Sequence, residues 1–193
     1  HKLPQWIVGY ADSRGLKVDG RVSQLLAESL GTNLQKVANE LSKLHILLPE
    51  GTQVTAEHVE QHIGISKDYN VFELQRALGN KDIERANRIV QYFEANPKNA
   101  PLAMVVPVLH AYFARVLVYQ TLQDRSEAAA AKAMRCSPYA VRDYARAAGT
   151  FSPAKVERIF GYLRDADKKA KGRSNATTSD GMLLREAVFK ILH

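Results

Sequence analysis

The chain has 193 residues, 46% hydrophobic and 24% charged, enough to core one large domain or two small ones with an ordinary globular composition. Its only cysteine, Cys136, excludes an intrachain disulfide and a thiolate metal cluster and fits a reducing cytoplasm, and no apolar run reads as long enough to span a bilayer. The net charge of +7 is uneven, −1 over residues 1–65 and +8 over residues 66–193, which places the basic excess where nucleic acid or an acidic partner would lie.

The chain opens at His1 with no initiator Met and no signal-peptide pattern, as expected of a piece of a longer protein. Leu3, Ile7, Tyr10 and Ala11 repeat with helical spacing, with Pro4 suited to a first turn and Gly15 to a stop. Val22, Leu25, Leu26 and Leu30 predict a second helix ending at Gly31. Leu34, Val37, Leu41, Leu44 and Leu48 predict a third, closed by Pro49-Glu50-Gly51. Thr55 caps a short fourth helix carrying Val59 and Ile63 and ending at Gly64. Residues 65–70 break the periodicity and mark a boundary between domains at 1–65 and 66–193.

Beyond it, Phe72, Leu74, Ala77 and Leu78 predict a helix stopped by Gly79-Asn80, and Ile83, Ala86, Ile89, Val90 and Phe93 the next. The longest stripe runs through Leu102, Val105, Val106, Leu109, Phe113, Val116 and Leu117, with Pro107 expected to kink or shift it. Ser126 opens an Ala-rich helix. Ser137-Pro138 and Ser152-Pro153 each pair an N-cap with a first-turn proline. Val156, Ile159, Phe160, Leu163 and Ala166 line the helix after Ser152. A polar loop, 171–179, precedes a last helix with Leu184, Ala187, Val188 and Ile191. No strand and no internal repeat is evident, so the fold class is all-α.

Within this frame, Gly31-Thr-Asn33-Leu34-Gln35, followed by Glu40-Leu41-Ser-Lys43-Leu44, resembles the lid helix of an AAA+ ATPase-type module. In that superfamily an arginine usually follows the Leu and reaches the γ-phosphate. Here Gln35 stands in its place, and a neutral amide cannot neutralise phosphate charge. The wider order of motifs resembles the delta subunit of the bacterial DNA polymerase III clamp loader. Its carriers are Leu3-Pro-Gln-Trp6, the Gly31 segment, Asn70-Val-Phe72-Glu73-Leu74 with Ala77-Leu78-Gly79-Asn80, Ser137-Pro138-Tyr139, and Asp167 with Lys171-Gly172.

The resemblance implies an AAA+ lid-like helical bundle (1–65) followed by a helical collar domain (66–193) that holds loader subunits in a ring. It implies no intrinsic catalysis and no cofactor, within a polymerase holoenzyme that places the sliding clamp on primed DNA. The clamp itself would be met by an N-terminal domain this chain lacks. The other expected partners are loader subunits and primer-template DNA, with no membrane, in the cytoplasm. Two residue sets follow. Tyr112, Phe113, Tyr119, Tyr139 and Tyr144 are candidates for the subunit interface, weighed against a place in the domain core. Arg164, Lys168, Lys169, Lys171 and Arg173 are candidates for contact with the DNA backbone, weighed against cations favoured at a helix C-terminus.

Other chemistry finds little support. His58-Val-Glu60-Gln-His62 lacks the Glu that a metalloprotease motif needs directly after its first His, and reads as surface or cap-associated histidines. His110 reads as a packed or capped core residue. No phosphate-cradling Gly-rich loop or nucleophile elbow is present, and Cys136 reads as an inert residue beside a helix start. Asn175-Ala-Thr177 reads as a flexible loop. The alternative function is a helix-turn-helix regulator, with residues 126–146 presenting Arg142 and Arg146 to a major groove.

Overall fold

Side-chain caps and left-handed glycines set the ends of the first helices. The computed structural model describes residues 2–31, 33–66, 68–98, 100–172 and 178–193, in two compact units, His1–Asn70 and Val71–His193. In the first unit α1 (Leu3–Asp12) starts with Pro4 in its first turn. Helix α2 (Gly20–Leu30) is capped by Asp19, which accepts the Val22 N–H at 2.8 Å. Helix α3 (Leu34–Leu47) is capped by Asn33, which accepts the Lys36 N–H at 3.1 Å. Helix α4 (Ala56–Ile63) begins at Thr55 and ends on Gly64 at φ 79°. Each cap satisfies one of the N–H groups that a helix start leaves without an intrahelical partner. Ile7, Ala11, Leu16, Leu26, Val37, Leu41, Leu44 and Val59 form the core of this unit. Leu34, placed on the apolar stripe by its spacing, is exposed instead, one turn too early to reach that core.

One element departs from the sequence reading. Lys17–Val18 (β1) and Gln53–Val54 (β2) pair in parallel, Lys17 opposite Gln53 and Val18 opposite Val54. Two residues are too few for the alternation that reveals a strand in sequence, and the partner lies more than thirty positions away. The pair buries Val18 and Val54, so the class remains all-α with a single clasp between two loops.

The second unit contains α5 (Val71–Gly79), α6 (Ile83–Ala95), α7 (Leu102–Thr121), α8 (Glu127–Met134), a 3₁₀ turn (Pro138–Ala140), α9 (Val141–Thr150), α10 (Pro153–Ala170) and α11 (Asp180–Leu192). Helix α7 is the centre, packed by α5, α8, α9, α10 and α11. Its buried residues, Leu102, Val105, Val106, Leu109, Tyr112, Phe113 and Val116, recur every three or four positions. By length and composition α7 is long and apolar enough to cross a bilayer, contrary to the expectation from sequence. Here its apolar stripe is covered by the surrounding helices. The helix runs on through Pro107, whose missing N–H leaves one carbonyl of the preceding turn without its helical partner. Asp180, at the start of α11, accepts the Leu102 N–H at 3.1 Å and so supplies the cap that Pro101 cannot. Ser137-Pro138 opens the 3₁₀ turn instead of α9, with no hydrogen bond from the Ser137 side chain.

The end of α5 shows what a glycine can be for. Gly79 is the last helical residue, and the left-handed position falls two residues later, on Lys81 at φ 56°. Gly79 is required by proximity: a Cβ there would stand 2.1 Å from the Tyr112 hydroxyl oxygen. Thr150 of α9 donates its hydroxyl to the Gly79 carbonyl at 3.0 Å, closing the junction of α5, α7 and α9. Lys81 pays the strain of the turn, since a left-handed L-residue costs about 1–2 kcal/mol. Lys81→Gly is therefore expected to raise stability by a few tenths to about 1 kcal/mol, after the unfolded-state entropy that glycine adds. A urea midpoint that falls on this substitution would contradict the assignment.

Candidate functional site

The aromatic candidates separate by burial. Tyr112 and Phe113 are 4% and 0% exposed, lodged between α5, α9 and α10, and cannot meet another subunit without unfolding their own. They are core residues, which corrects the interface assignment. Phe113 meets Phe151 edge-on at 5.5 Å, and Tyr112 lies 5.4 Å from the Tyr144 ring. Burial pushes the Tyr112 hydroxyl well above its usual range, helped by neighbouring Tyr144 and Asp143. Tyr144 is half-buried and raised likewise by burial, offset in part by Arg115. It packs on both the main core and a satellite cluster of Ala130, Ala131, Met134 and Val141. Tyr119 rests on that satellite, with the Arg125 guanidinium 5.6 Å above its ring.

Only Tyr139 stands free, 90% exposed at the 3₁₀ turn. Two residues on α11 share its character, Phe189 at 61% and Met182 at 54% exposed. Both lie outside the core register Leu184, Ala187, Val188 and Ile191, which is the part of α11 that apolar spacing reveals. Their signal was being apolar outside that register, seven residues apart and so near one face of the helix.

The basic stretch is largely neutralised where it stands. Lys169 pairs with Glu186 at 3.1 Å, Lys171 with Asp167 at 2.7 Å, and Arg164 lies 3.6 Å from Asp165. Hydrogen bonds from Lys190, then Lys169, hold the Glu186 carboxyl below its usual range. Lys168 is exposed and has no carboxylate within ion-pair distance among the described residues. Arg173 and the Asn175–Thr177 segment lie outside the described residues.

The remaining candidates take structural places. His58 belongs to the α4 cap: its Nδ1 accepts the Thr55 N–H at 3.3 Å, and its own N–H donates to the Thr55 hydroxyl at 3.4 Å. His110 is exposed and not a core residue, its ring 4.8 Å from Phe160. Burial pushes the Cys136 thiol up, with Arg115 opposing, so the helix start does not activate it. Gln35 is exposed on the first turn of α3 and donates to Asn39 at 3.0 Å.

Comparison with known proteins fits this helical assembly. The family model for the DNA polymerase III delta subunit, C-terminal domain, matches residues 68–184, most of the second unit. The structure resembles that of the Bacillus subtilis DNA clamp loader delta protein (YqeN), with a TM-score of 0.63 and 18% sequence identity. That likeness covers 99% of this chain and 56% of the other, so the chain spans just over half the length of the structure it matches, and at this identity it speaks for the fold alone. No curated protein matches in a sequence search. With more than half of its length matched by the family model, the chain belongs to the DNA polymerase III delta subunit family, through the C-terminal domain that its second unit forms.

Proposed function

We propose that the chain is the lid-and-collar portion of a clamp-loader delta subunit and acts in DNA replication by holding neighbouring loader subunits in place. The observation that carries this reading is the family match over residues 68–184, which coincides with a helical unit built around α7. The first unit, 1–65, serves as the lid, joining the collar to a preceding domain that would meet the sliding clamp. Gln35 puts a neutral amide at the position after Leu34, where the AAA+ lid resemblance expects the phosphate-binding arginine, so ATP hydrolysis falls to other subunits. The chain works in the cytoplasm and contributes no catalysis of its own to the polymerase holoenzyme.

Its docking energy comes from exposed apolar and aromatic side chains, Tyr139, Met182 and Phe189, since aromatic anchors dominate interface energetics. Arg164 and Lys168 add a charged edge toward primer-template DNA, weakened by the local pairing of Lys169 and Lys171.

The test is a pull-down of purified loader subunits. Tyr139→Ala combined with Phe189→Ala is expected to weaken capture by at least tenfold, while each substitution shifts stability by no more than about 0.5 kcal/mol. Undiminished capture by the double variant would move the interface elsewhere. A gel shift on a panel of duplexes runs beside it, because the regulator reading predicts sequence preference. Against that reading, α9 is anchored by buried Ala147 in the main core and by buried Val141 in the satellite cluster with α8, and Asp143 interrupts its exposed basic face.

A further inference from the structure

We propose that Lys81, Arg146, Lys155 and Arg158 form a second basic surface, one that binds the phosphodiester backbone of nucleic acid. It lies at the other end of α10 from the Arg164–Lys171 stretch, since thirteen residues of helix separate Lys155 from Lys168 by roughly 20 Å. The inference rests on the clamp-loader reading for its choice of polyanion, and on the structure for its location.

Three elements bring the four cations together. The turn between α5 and α6 is tied to α9 twice, by the Thr150 hydroxyl on the Gly79 carbonyl at 3.0 Å and by the Arg146 guanidinium on Asn80 Oδ1 at 3.1 Å. This seats Lys81 beside the end of α9, which passes through Phe151 and Ser152 directly into α10. On α10, Lys155 and Arg158 are three residues apart and therefore neighbours on one face. The Lys155 ammonium donates to the Lys190 carbonyl at 2.8 Å and lies 5.6 Å over the Tyr162 ring, so its position is set before any ligand arrives.

What distinguishes these four cations is that the α5–α6 turn, α9 and α10 bring them together without counter-charge. Arg76, Arg85, Arg88, Lys169, Lys171, Arg185 and Lys190 of the same unit each sit beside a carboxylate. Among the described residues, none of the four has one within ion-pair distance, as is also true of Lys132, Arg135, Arg142 and Lys168, although Glu157 follows close by on α10. Asp82, next to Lys81, is engaged in capping α6 through the Arg85 N–H at 3.0 Å. The Lys155 ammonium is held below its usual range, first by partial burial and then by Arg158 and Lys81. An arriving polyanion would relieve that mutual repulsion.

Lys81 adds an independent sign. It occupies a left-handed position at the tip of the turn, where glycine would carry no strain, and a strained non-glycine residue on a surface points to use of its side chain. The composition of the patch suits phosphate: two guanidiniums able to fork across phosphate oxygens and two ammonium point charges, spread over three elements and presenting no base-reading geometry. Contacts of this kind position nucleic acid without selecting sequence.

The test uses the full chain, a fluorescently labelled primed duplex, and anisotropy measured across a salt series. Lys81→Glu with Arg158→Glu is expected to lower affinity at least tenfold at low salt. It should also reduce the steepness of the log affinity against log salt plot by about 2, one for each lost phosphate contact. Both residues are exposed, and Lys81→Gln with Arg158→Gln serves as the neutral pair should reversal disturb folding by circular dichroism. Affinity and slope equal to those of the unaltered chain would overturn the proposal. So would competition by polyglutamate as effective as that by oligonucleotide at equal charge, which would assign the surface to an acidic protein. Pull-down of loader subunits separates the two readings. Capture retained by both proteins keeps the clamp-loader role whatever the anisotropy shows, and no capture by the unaltered chain removes that role while leaving the anisotropy to judge the patch.

Discussion

Gly79→Ala is expected to destabilise the second unit by about 2 kcal/mol, and Tyr112→Phe in the same chain to restore most of the loss. Helix propensity alone predicts the reverse, since alanine is favoured over glycine inside a helix by about 1 kcal/mol. The sign is decided by the added methyl group, which would meet the Tyr112 hydroxyl oxygen at 2.1 Å. Tyr112 cannot swing aside, because it is buried between Phe113 and Tyr144. Without the hydroxyl the nearest neighbours of the new methyl are the Ala147 Cβ at 3.3 Å and the ring carbon at 3.4 Å, distances that small shifts absorb. Urea unfolding followed by far-ultraviolet circular dichroism measures this coupling as a double-mutant cycle. Trp6 fluorescence reports the first unit separately, as the only tryptophan. A Gly79→Ala chain as stable as its parent would show that the junction yields easily.

Phe113→Ala is expected to cost about 3–5 kcal/mol, the largest single effect in the molecule. The ring is fully buried at the centre of α7, edge-on to Phe151 at the start of the α9–α10 connection. Its loss leaves a cavity where α7 meets two neighbouring helices. Phe113→Leu should cost far less, about 1 kcal/mol, because most of the volume is kept. The expected sign is a shift of the unfolding midpoint, with loss of subunit capture only as a consequence of unfolding. A chain carrying Phe113→Ala that melts normally yet fails to bind loader subunits would return the residue to the interface and remove it from the core.

These two residues also mark where sequence reading stops. Tyr112, Phe113, Tyr119, Tyr139 and Tyr144 are alike in composition, yet the first two are core, two are half-buried around a satellite cluster, and one is free. Spacing placed Phe113 on the apolar stripe of α7. It could not show that the helices around α7 close over Tyr112 as well, because that depends on a partner without a side chain at Gly79. The basic residues behave the same way. Arg164 to Lys171 is dense in sequence and mostly paired in space, whereas Lys81, Arg146, Lys155 and Arg158 are scattered over 78 positions and gathered by the fold.

Sequence by itself determined the helices, their order and, Ser137 excepted, the caps it signalled. Asn33, Thr55, Ser126 and Ser152 bond to the backbone within three residues, and the apolar spacing of 3 or 4 belongs to a single helix. The motifs that resemble the delta subunit likewise lie along the chain and were readable there. Tertiary structure alone decided which aromatics are free, which cations keep their charge unopposed, and that residues 17–18 pair with 53–54. The physical reason is one of range. Capping and periodicity are local interactions written in neighbouring residues, whereas burial and charge pairing depend on atoms that distant parts of the chain bring to the same place.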